Sequence, residues 1–399
     1  MGRVALQRGE LVAGKYRLER QIGSGGMGVV FAAMHVQLER RVALKFLHED
    51  AAQSAETVER FWHEARAAVK IQSEHVARVM DIGELPSGQP FIVMEYLEGN
   101  DLDNIVKASG PLAIGDAIQY LLEACEALAE VHAQGIVHRD IKPANLFIAT
   151  RADRTSIVKL LDFGVSKAAP SWTIAEGPRS LTSTSEVIGS PRYMSPEQLR
   201  SSRDVDARSD IWALGVTLFE LLGGRSPFAR GSMPEVCASI LKDEPLSLTR
   251  LRPEVPHDLD AVIRRCLAKE ADARYRNVAE LAMALRPFGP LGIIDISIER
   301  IVGIIQMSLM ASTGRADAER ERQYLSRIGP RLGVPRLAMA EGVISSLALD
   351  HRAGFLLSRI DGASSIDELL DVSGMPRLET LRLLCELVDQ GVVALTRPR

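Results

Sequence analysis

Cysteine is scarce in this 399-residue chain, and the four present, Cys125, Cys237, Cys266 and Cys385, lie far apart in sequence. None forms the close pair that a zinc site or a dithiol centre needs, which argues against both chemistries and makes a reducing cytoplasm the simpler setting. A surplus of one charge is also missing: 48 Lys and Arg stand against 52 Asp and Glu, a formal net charge of -4. That balance gives no electrostatic reason to expect nucleic acid or an anionic membrane as the main partner. Long apolar runs are absent too. The most apolar late stretch, residues 291–310, is interrupted by Asp295, Glu299 and Arg300, each of which a bilayer centre penalises by about 2.5 kcal/mol or more. No membrane span is expected, and the opening MGRVALQRGELVAGKY lacks the apolar core and cleavage site of a secretory signal. What remains, 46% hydrophobic and 25% charged residues, is the composition of a soluble globular protein. The length allows two or three domains.

Residues 16–100 read as short strands, YRLERQIG, VVFAAMHV, RRVALKFL and FIVMEYL, around one helical insert from about Ser54 to Ile71. From Pro111 the pattern changes to long helices. Ile118, Leu121, Leu122, Cys125, Leu128 and Val131 form an apolar stripe that stops at Gly135, and DIWALGVTLFELLGG stops at Gly223 and Gly224. RPFGP, residues 286–290, breaks the pattern. The expected organisation is therefore α+β: an N-terminal tail over 1–15, a main domain over 16–288, a helix and polar linker over 289–339, and a small helical module over 340–399, which resembles small modules appended to bacterial signalling proteins with a winged-helix-like helix order. In that module Ser365 and Glu368 fit a capping box.

The chemistry sits in the first two-thirds. Ile22, Gly23, Ser24, Gly25, Gly26, Met27, Gly28, Val29 and Val30 form a glycine-rich turn between two strands, where the backbone can approach a phosphate closely. Alone, such a turn is equally well an unliganded hairpin. Lys45, in the apolar strand VALK, is costly to bury without a partner, and Glu64 in the helical insert supplies one. Such a pair would hold the lysine against nucleotide phosphates; a surface strand lysine and a solvated helix glutamate are the plainer alternatives. In HRDIKPANLF, Asp140, Lys142 and Asn145 bring a proton-accepting carboxylate, a cation and an amide oxygen for a metal, and Asp162 in LDFG adds a metal-binding carboxylate. Any one of them could be a turn or cap residue. All of them in order, separated by strands, make coincidence hard to sustain.

With these motifs in view, residues 16 to about 285 resemble the bacterial eukaryotic-like serine/threonine protein kinases. The resemblance implies a bilobal protein-kinase-like fold, a strand-rich N-lobe on a helical C-lobe, with ATP in the cleft. It implies that residues 22–30, Ala43 and Lys45 surround the nucleotide, that Met94 is the gatekeeper, that the backbone of Glu95 and Leu97 meets adenine, and that Asp101 lies near the ribose. Asn145 and Asp162 would hold Mg2+, with Mn2+ as an alternative. Asp140, Lys142, Lys45 and Glu64 would be the catalytic set, and Lys142 points to serine and threonine hydroxyls of protein substrates. GSPRYMSPE, residues 189–197, is similar to the segment that docks the peptide acceptor. Ser190 stands there in place of the usual threonine, keeping a hydroxyl expected to contact Asp140 and Lys142, and Ser195 in place of the frequent alanine. Glu197 would pair with Arg274, and Asp210 would organise the catalytic loop.

Between Gly164 and Ser195 runs a polar stretch containing SLTSTSEVIGS. Phosphate on Thr182 or Thr184 would meet Arg139, completed by Arg60 and Lys167 on the family's pattern, and order this loop, with a transient homodimer carrying out the transfer in trans. A merely solvated loop is the bland alternative. A pseudokinase scaffold would be expected to lose Lys45, Asp140 or Asp162, and a small-molecule kinase to lack GSPRYMSPE and the Asp210 helix; neither loss is seen. The acids of the C-terminal module, Asp367, Glu368, Asp371, Glu379, Glu386 and Asp389, favour protein interaction or regulation over DNA binding.

Overall fold

The computed structural model describes residues 6–25, 28–162, 190–200, 205–228, 231–290, 292–329, 333–344 and 349–396. Residues 1–305 and 306–399 form two compact units.

The first unit opens with six strands, β1 (Leu11–Val12), β2 (Tyr16–Gly25), β3 (Gly28–His35), β4 (Arg40–Leu47), β5 (Val79–Glu84) and β6 (Pro90–Glu95), in one sheet of order β1-β2-β3-β4-β6-β5. All pairs are antiparallel. Alternation of buried and exposed residues in β2, and the β-branched and aromatic content of β3, β4 and β6, place one sheet face on a core of Leu18, Phe31, Leu44, Phe46, Phe91 and Val93. Residues 11–12, expected in an N-terminal tail, instead extend the sheet edge, because Val12 is 1% exposed against Tyr16 and its neighbours. Helices α1 (Glu49–Ala52) and α2 (Ala55–Val69) follow β4. Ser54 caps α2 by accepting from Thr57 N–H, and Phe61 and Ala65 turn towards Leu47 and Ile92.

Beyond β6, strand β7 (Gly99–Asp101) leads into α3 (Leu102–Ser109) and α4 (Ile114–Ala133). Strands β8 (Leu146–Thr150) and β9 (Ser156–Leu160) complete a three-stranded sheet with β7. Helices α5 (Pro196–Arg200), α6 (Ala207–Gly223), α7 (Met233–Lys242), α8 (Leu248–Leu251), α9 (His257–Cys266) and α10 (Val278–Leu285) build the larger lobe. Its core centres on α4 and α6, which is buried all round rather than on one stripe. As the pattern of the sequence implied, α6 ends at Gly224, whose φ of +68° is the left-handed cap conformation that glycine adopts freely.

Helix α11 (Ile293–Ile328) occupies most of the stretch expected to be helix and polar linker. Its first turns belong to the first unit past residue 288, because Ile294, Ile298 and Ile301 enter the large core. Arg300 there donates to Glu126 of α4 at 3.1 Å and pairs with Glu74, the two acids that flank buried His75. In the second unit, Tyr324, Leu325 and Ile328 join a separate core with α13 (His351–Leu357), α14 (Ile366–Val372) and α15 (Arg377–Asp389), preceded by the short α12 (Glu341–Ile344). An antiparallel ribbon of β10 (Val334–Leu337) and β11 (Val393–Thr396) closes it. Strand β10 falls in the expected linker; it forms because Val334 to Leu337 find edge partners in Thr396 to Val393, a pairing no local pattern announces. Among the described residues, no helix is long and apolar enough to cross a membrane.

Candidate active site

Strand register sets the first half of the site. Lys45 sits in the middle of β4 between Val30 of β3 and Ile92 of β6, and Ala43 lies opposite Met94. Because side chains alternate along a strand, a single register positions Lys45 and Ala43 on the same face. The hairpin from β2 to β3 pairs Gly25 with Gly28. Any Cβ on Gly28 would collide with the Phe46 carbonyl oxygen, so glycine is required there by close approach to β4. His48 hydrogen-bonds the Gly25 carbonyl at 2.8 Å, tying the hairpin to the end of β4. Gly26 and Met27 lie outside the described residues.

Lys45 is 7% exposed, and its Nζ donates to Glu64 Oε1 at 2.9 Å and to Asp162 Oδ1 at 2.8 Å. Burial disfavours its charge, but Asp162 and then Glu64 outweigh that and hold the ammonium well above the usual lysine range. For Asp162, whose side chain is partly open to solvent, desolvation in the cleft opposes ionisation and Lys45 overcomes it, keeping the carboxyl below its ordinary value. Asp140 and Lys142 also act on Asp162 through their charges, the first opposing and the second favouring its ionisation. Lys45, Glu64 and Asp162 line a small cavity of about 20 Å³ whose remaining wall is apolar: Ala65, Ala68, Ala77, Val79, Ile92, Met94 and Leu160.

The second half is the loop after α4. Lys142 Nζ donates to Asp140 Oδ2 at 2.9 Å, and Asn145 Nδ2 donates to the Asp140 carbonyl at 2.8 Å and to its Oδ2 at 3.0 Å. This use of the Asn145 amide nitrogen leaves its oxygen to face a cation. Asp210, fully buried at the start of α6, accepts from His138 N–H and Arg139 N–H and from His132 Nε2, each at 2.8 Å. Burial would raise its pKa; these donors reverse that and hold it low. The backbone is strained in both halves: Arg139 in this loop and Asp162 after β9 have φ of 67° and 47°, left-handed values uncommon for residues with side chains. Such conformations cost on the order of 1–3 kcal/mol and persist where surrounding bonds over-determine them.

The scaffold ions meet as the motifs required. Arg274 donates to both oxygens of Glu197, at 2.7 and 2.8 Å. Asp101 spends its carboxylate on α3, accepting from Asn104 N–H and Nδ2. Glu95, at the end of β6, accepts from Lys159 Nζ at 2.8 Å and from Arg78 N–H, so the connection between the lobes is bonded to the strand that leads into Asp162. Arg60 pairs with Glu56 in its own helix. Thr182, Thr184, Lys167, Phe163 and Gly164, and the side chain of Ser190, lie outside the described residues. His132, Lys159 and Gln198, the last bonded to the Arg139 carbonyl at 3.3 Å, were not singled out from sequence. Their partners are remote in the chain, and only the proximity of Lys159 and Gln198 to the LDFG and SPE motifs marks them.

A strand-rich lobe bearing a buried Lys–Glu pair, set over a helical lobe bearing the Asp140 loop, defines a protein kinase catalytic domain. The chain belongs to that family: the protein kinase domain family matches residues 16–284. It is 40% identical over 270 residues to the serine/threonine-protein kinase PknB of Mycolicibacterium smegmatis, covering 67% of this chain and 42% of that protein. It is 39% identical over 263 residues to the serine/threonine-protein kinase pkn3 of Myxococcus xanthus, covering 65% and 47%. The matched region thus spans less than half the length of these curated relatives. The crystal structure of the Mycobacterium tuberculosis PknI kinase domain is similar at TM-score 0.55 and 28% identity, covering 71% of this chain and 100% of that one. Membership implies use of ATP and a divalent metal ion.

Proposed function

We propose that this chain transfers the γ-phosphate of ATP to serine and threonine hydroxyls of proteins. The observation that carries the reading is the joint geometry of Lys45, Glu64, Asp162, Asp140, Lys142 and Asn145 in one cleft. Glu64 holds Lys45 as an ammonium so that it can pair with the α- and β-phosphates of the nucleotide. Asp140 orients the acceptor hydroxyl and takes its proton as the oxygen attacks phosphorus. Lys142, already bonded to Asp140, meets the charge on the transferring phosphoryl group. The adenine would lie among Ile22, Val30, Ala43, Glu95 and Leu97.

The donor set suits a small hard cation: one carboxylate, Asp162, and one amide oxygen, Asn145, leave room for phosphate oxygens and water. Mg2+ fits these oxygens, with Mn2+ as the alternative, and when bound it neutralises charge between the β- and γ-phosphates. Dependence on ATP and four cysteines in no disulfide support the cytoplasm as the compartment.

Phosphorylation of Thr182 and Thr184 in trans, through a transient homodimer, is the proposed activation step, and protein interaction or regulation the proposed role of the C-terminal unit. Labelled ATP with Mg2+ and general protein acceptors tests the reading. Transfer to serine and threonine, together with phosphopeptides at Thr182 and Thr184, is expected; labelling only of small hydroxylated molecules such as aminoglycosides would overturn it.

A further inference from the structure

Arg139 sits between the buried His138 and the proton acceptor Asp140, in a backbone conformation, φ 67°, that its side chain disfavours. The two peptide groups around it are therefore the point at which Asp140 could swing away. The first is gripped by Asp210, whose Oδ1 accepts from Arg139 N–H at 2.8 Å. The second joins Arg139 to Asp140. Its N–H donates to His138 Nδ1 at 3.3 Å, and its carbonyl accepts from Gln198 Nε2, also at 3.3 Å.

Gln198 comes from α5, directly after the segment whose resemblance assigns it to acceptor docking. Its amide is oriented by Ser195, which is fully buried: Ser195 N–H at 2.9 Å and Oγ–H at 3.1 Å both donate to Gln198 Oε1. With two donors on the oxygen, the NH2 end is turned to the Arg139 carbonyl. Ser195 Oγ also accepts from Gln198 N–H at 3.4 Å, so the pair forms a reciprocal cap at the start of α5. That cap uses only the oxygen of the Gln198 side chain. The bond from its nitrogen to the catalytic loop does nothing for the helix.

We propose that Gln198, aimed by Ser195, is a positioning residue for phosphoryl transfer: it holds the Arg139–Asp140 peptide and couples the docking segment to the orientation of the proton-accepting carboxylate. The proposal rests on the protein kinase reading above. Gln198→Glu separates the two duties, because glutamate serves the same cap but cannot donate to a carbonyl while ionised.

The experiment measures steady-state kinetics of the full chain on a serine peptide that the wild type phosphorylates, with melting temperature recorded for each variant. Gln198→Glu and Gln198→Met are expected to lower kcat about threefold to tenfold, the loss of one part-buried hydrogen bond. KM for ATP should stay within about twofold, and Gln198→Glu should melt like the wild type. Ser195→Ala, which keeps the backbone donor, should lose less, and Ser195→Thr should recover it. Should Gln198→Glu prove unstable, Gln198→Met decides. Folded variants with wild-type kcat, or a loss confined to KM for the peptide, would overturn the role of Gln198 while leaving the kinase reading intact. A wild type that labels no protein would instead defeat the kinase reading, and this proposal with it.

Discussion

Removing one partner of the Glu197–Arg274 pair should cost more than any other single change among the scaffold ions. Arg274 is 1% exposed, and all of its N–H groups are engaged: two bonds to Glu197, and one each to the carbonyls of Ala268, Arg208 and Lys269. Its guanidinium also lies over Trp212, 5.1 Å from the ring centre. Glu197 accepts a further bond from Ser209 Oγ. Burial opposes the charge on Glu197, yet the Arg274 bonds bring its pKa down from 4.5 to about 2. At 1.36 kcal/mol per unit, a fall of that size corresponds to about 3 kcal/mol of linkage. Because the folded value lies below the unfolded one, this stability is present above pH 4.5 and lost as pH falls towards 2. Breaking such a pair from one side costs about 3–5 kcal/mol, since the other charge stays buried. For a domain of this size that lowers the melting temperature by about 6–20 °C. The assay is thermal unfolding of wild type, Glu197→Gln and Arg274→Met at pH 7 and at several values from 5 to 2. Both variants should melt far below the wild type at neutral pH, and Glu197→Gln should show a shallower acid slope. An unchanged melting temperature in Arg274→Met, or an identical acid slope in Glu197→Gln, would rule out the pair as a source of this stability.

Two further perturbations probe the nucleotide side. Glu64→Gln removes the charged acceptor that shares Lys45 with Asp162, and the loss of one charge-assisted bond should reduce kcat/KM about 10- to 100-fold with little change in melting temperature; activity within twofold would contradict it. Gly28→Ala forces a Cβ against the Phe46 carbonyl and must displace the hairpin from β4, so KM for ATP should rise several-fold as measured by initial rates, and an unaltered KM would show that the hairpin tolerates the shift.

The parts of the fold and site legible in sequence are those written in local pattern or in short motifs. The stripe along α4, the glycine stop of α6 and the capping box of Ser365 and Glu368 on α14 depend on residues a few positions apart. Lys45 and Glu64 are remote from each other, but each sits in a recognisable element, so their meeting could be expected before it was seen. Gln198, Lys159 and His132 could not be read in the same way. Each is an ordinary polar residue whose meaning comes from a carbonyl or carboxylate brought to it by tertiary packing, 59, 64 and 78 positions away in sequence. The same holds for β10, whose partner lies across four helices, and for the later turns of α11, where an arginine-rich stretch reads as linker although Tyr324, Leu325 and Ile328 are apolar anchors. Asp101 shows a third case: its carboxylate caps α3, a duty that the motif reading did not include.

The proposed function requires Lys45, Asp162 and Asp140 to converge on the terminal phosphate of a bound nucleotide. Its most direct test is one radiolabel-transfer assay of the wild type beside Asp140→Asn and Lys45→Met, with nucleotide affinity measured on the same preparations. The wild type should label protein substrate, Asp140→Asn should bind ATP normally yet lose nearly all transfer, and Lys45→Met should lose transfer with weakened phosphate contacts. Full activity in Asp140→Asn, or a wild type that neither binds nucleotide nor labels protein, would contradict the account.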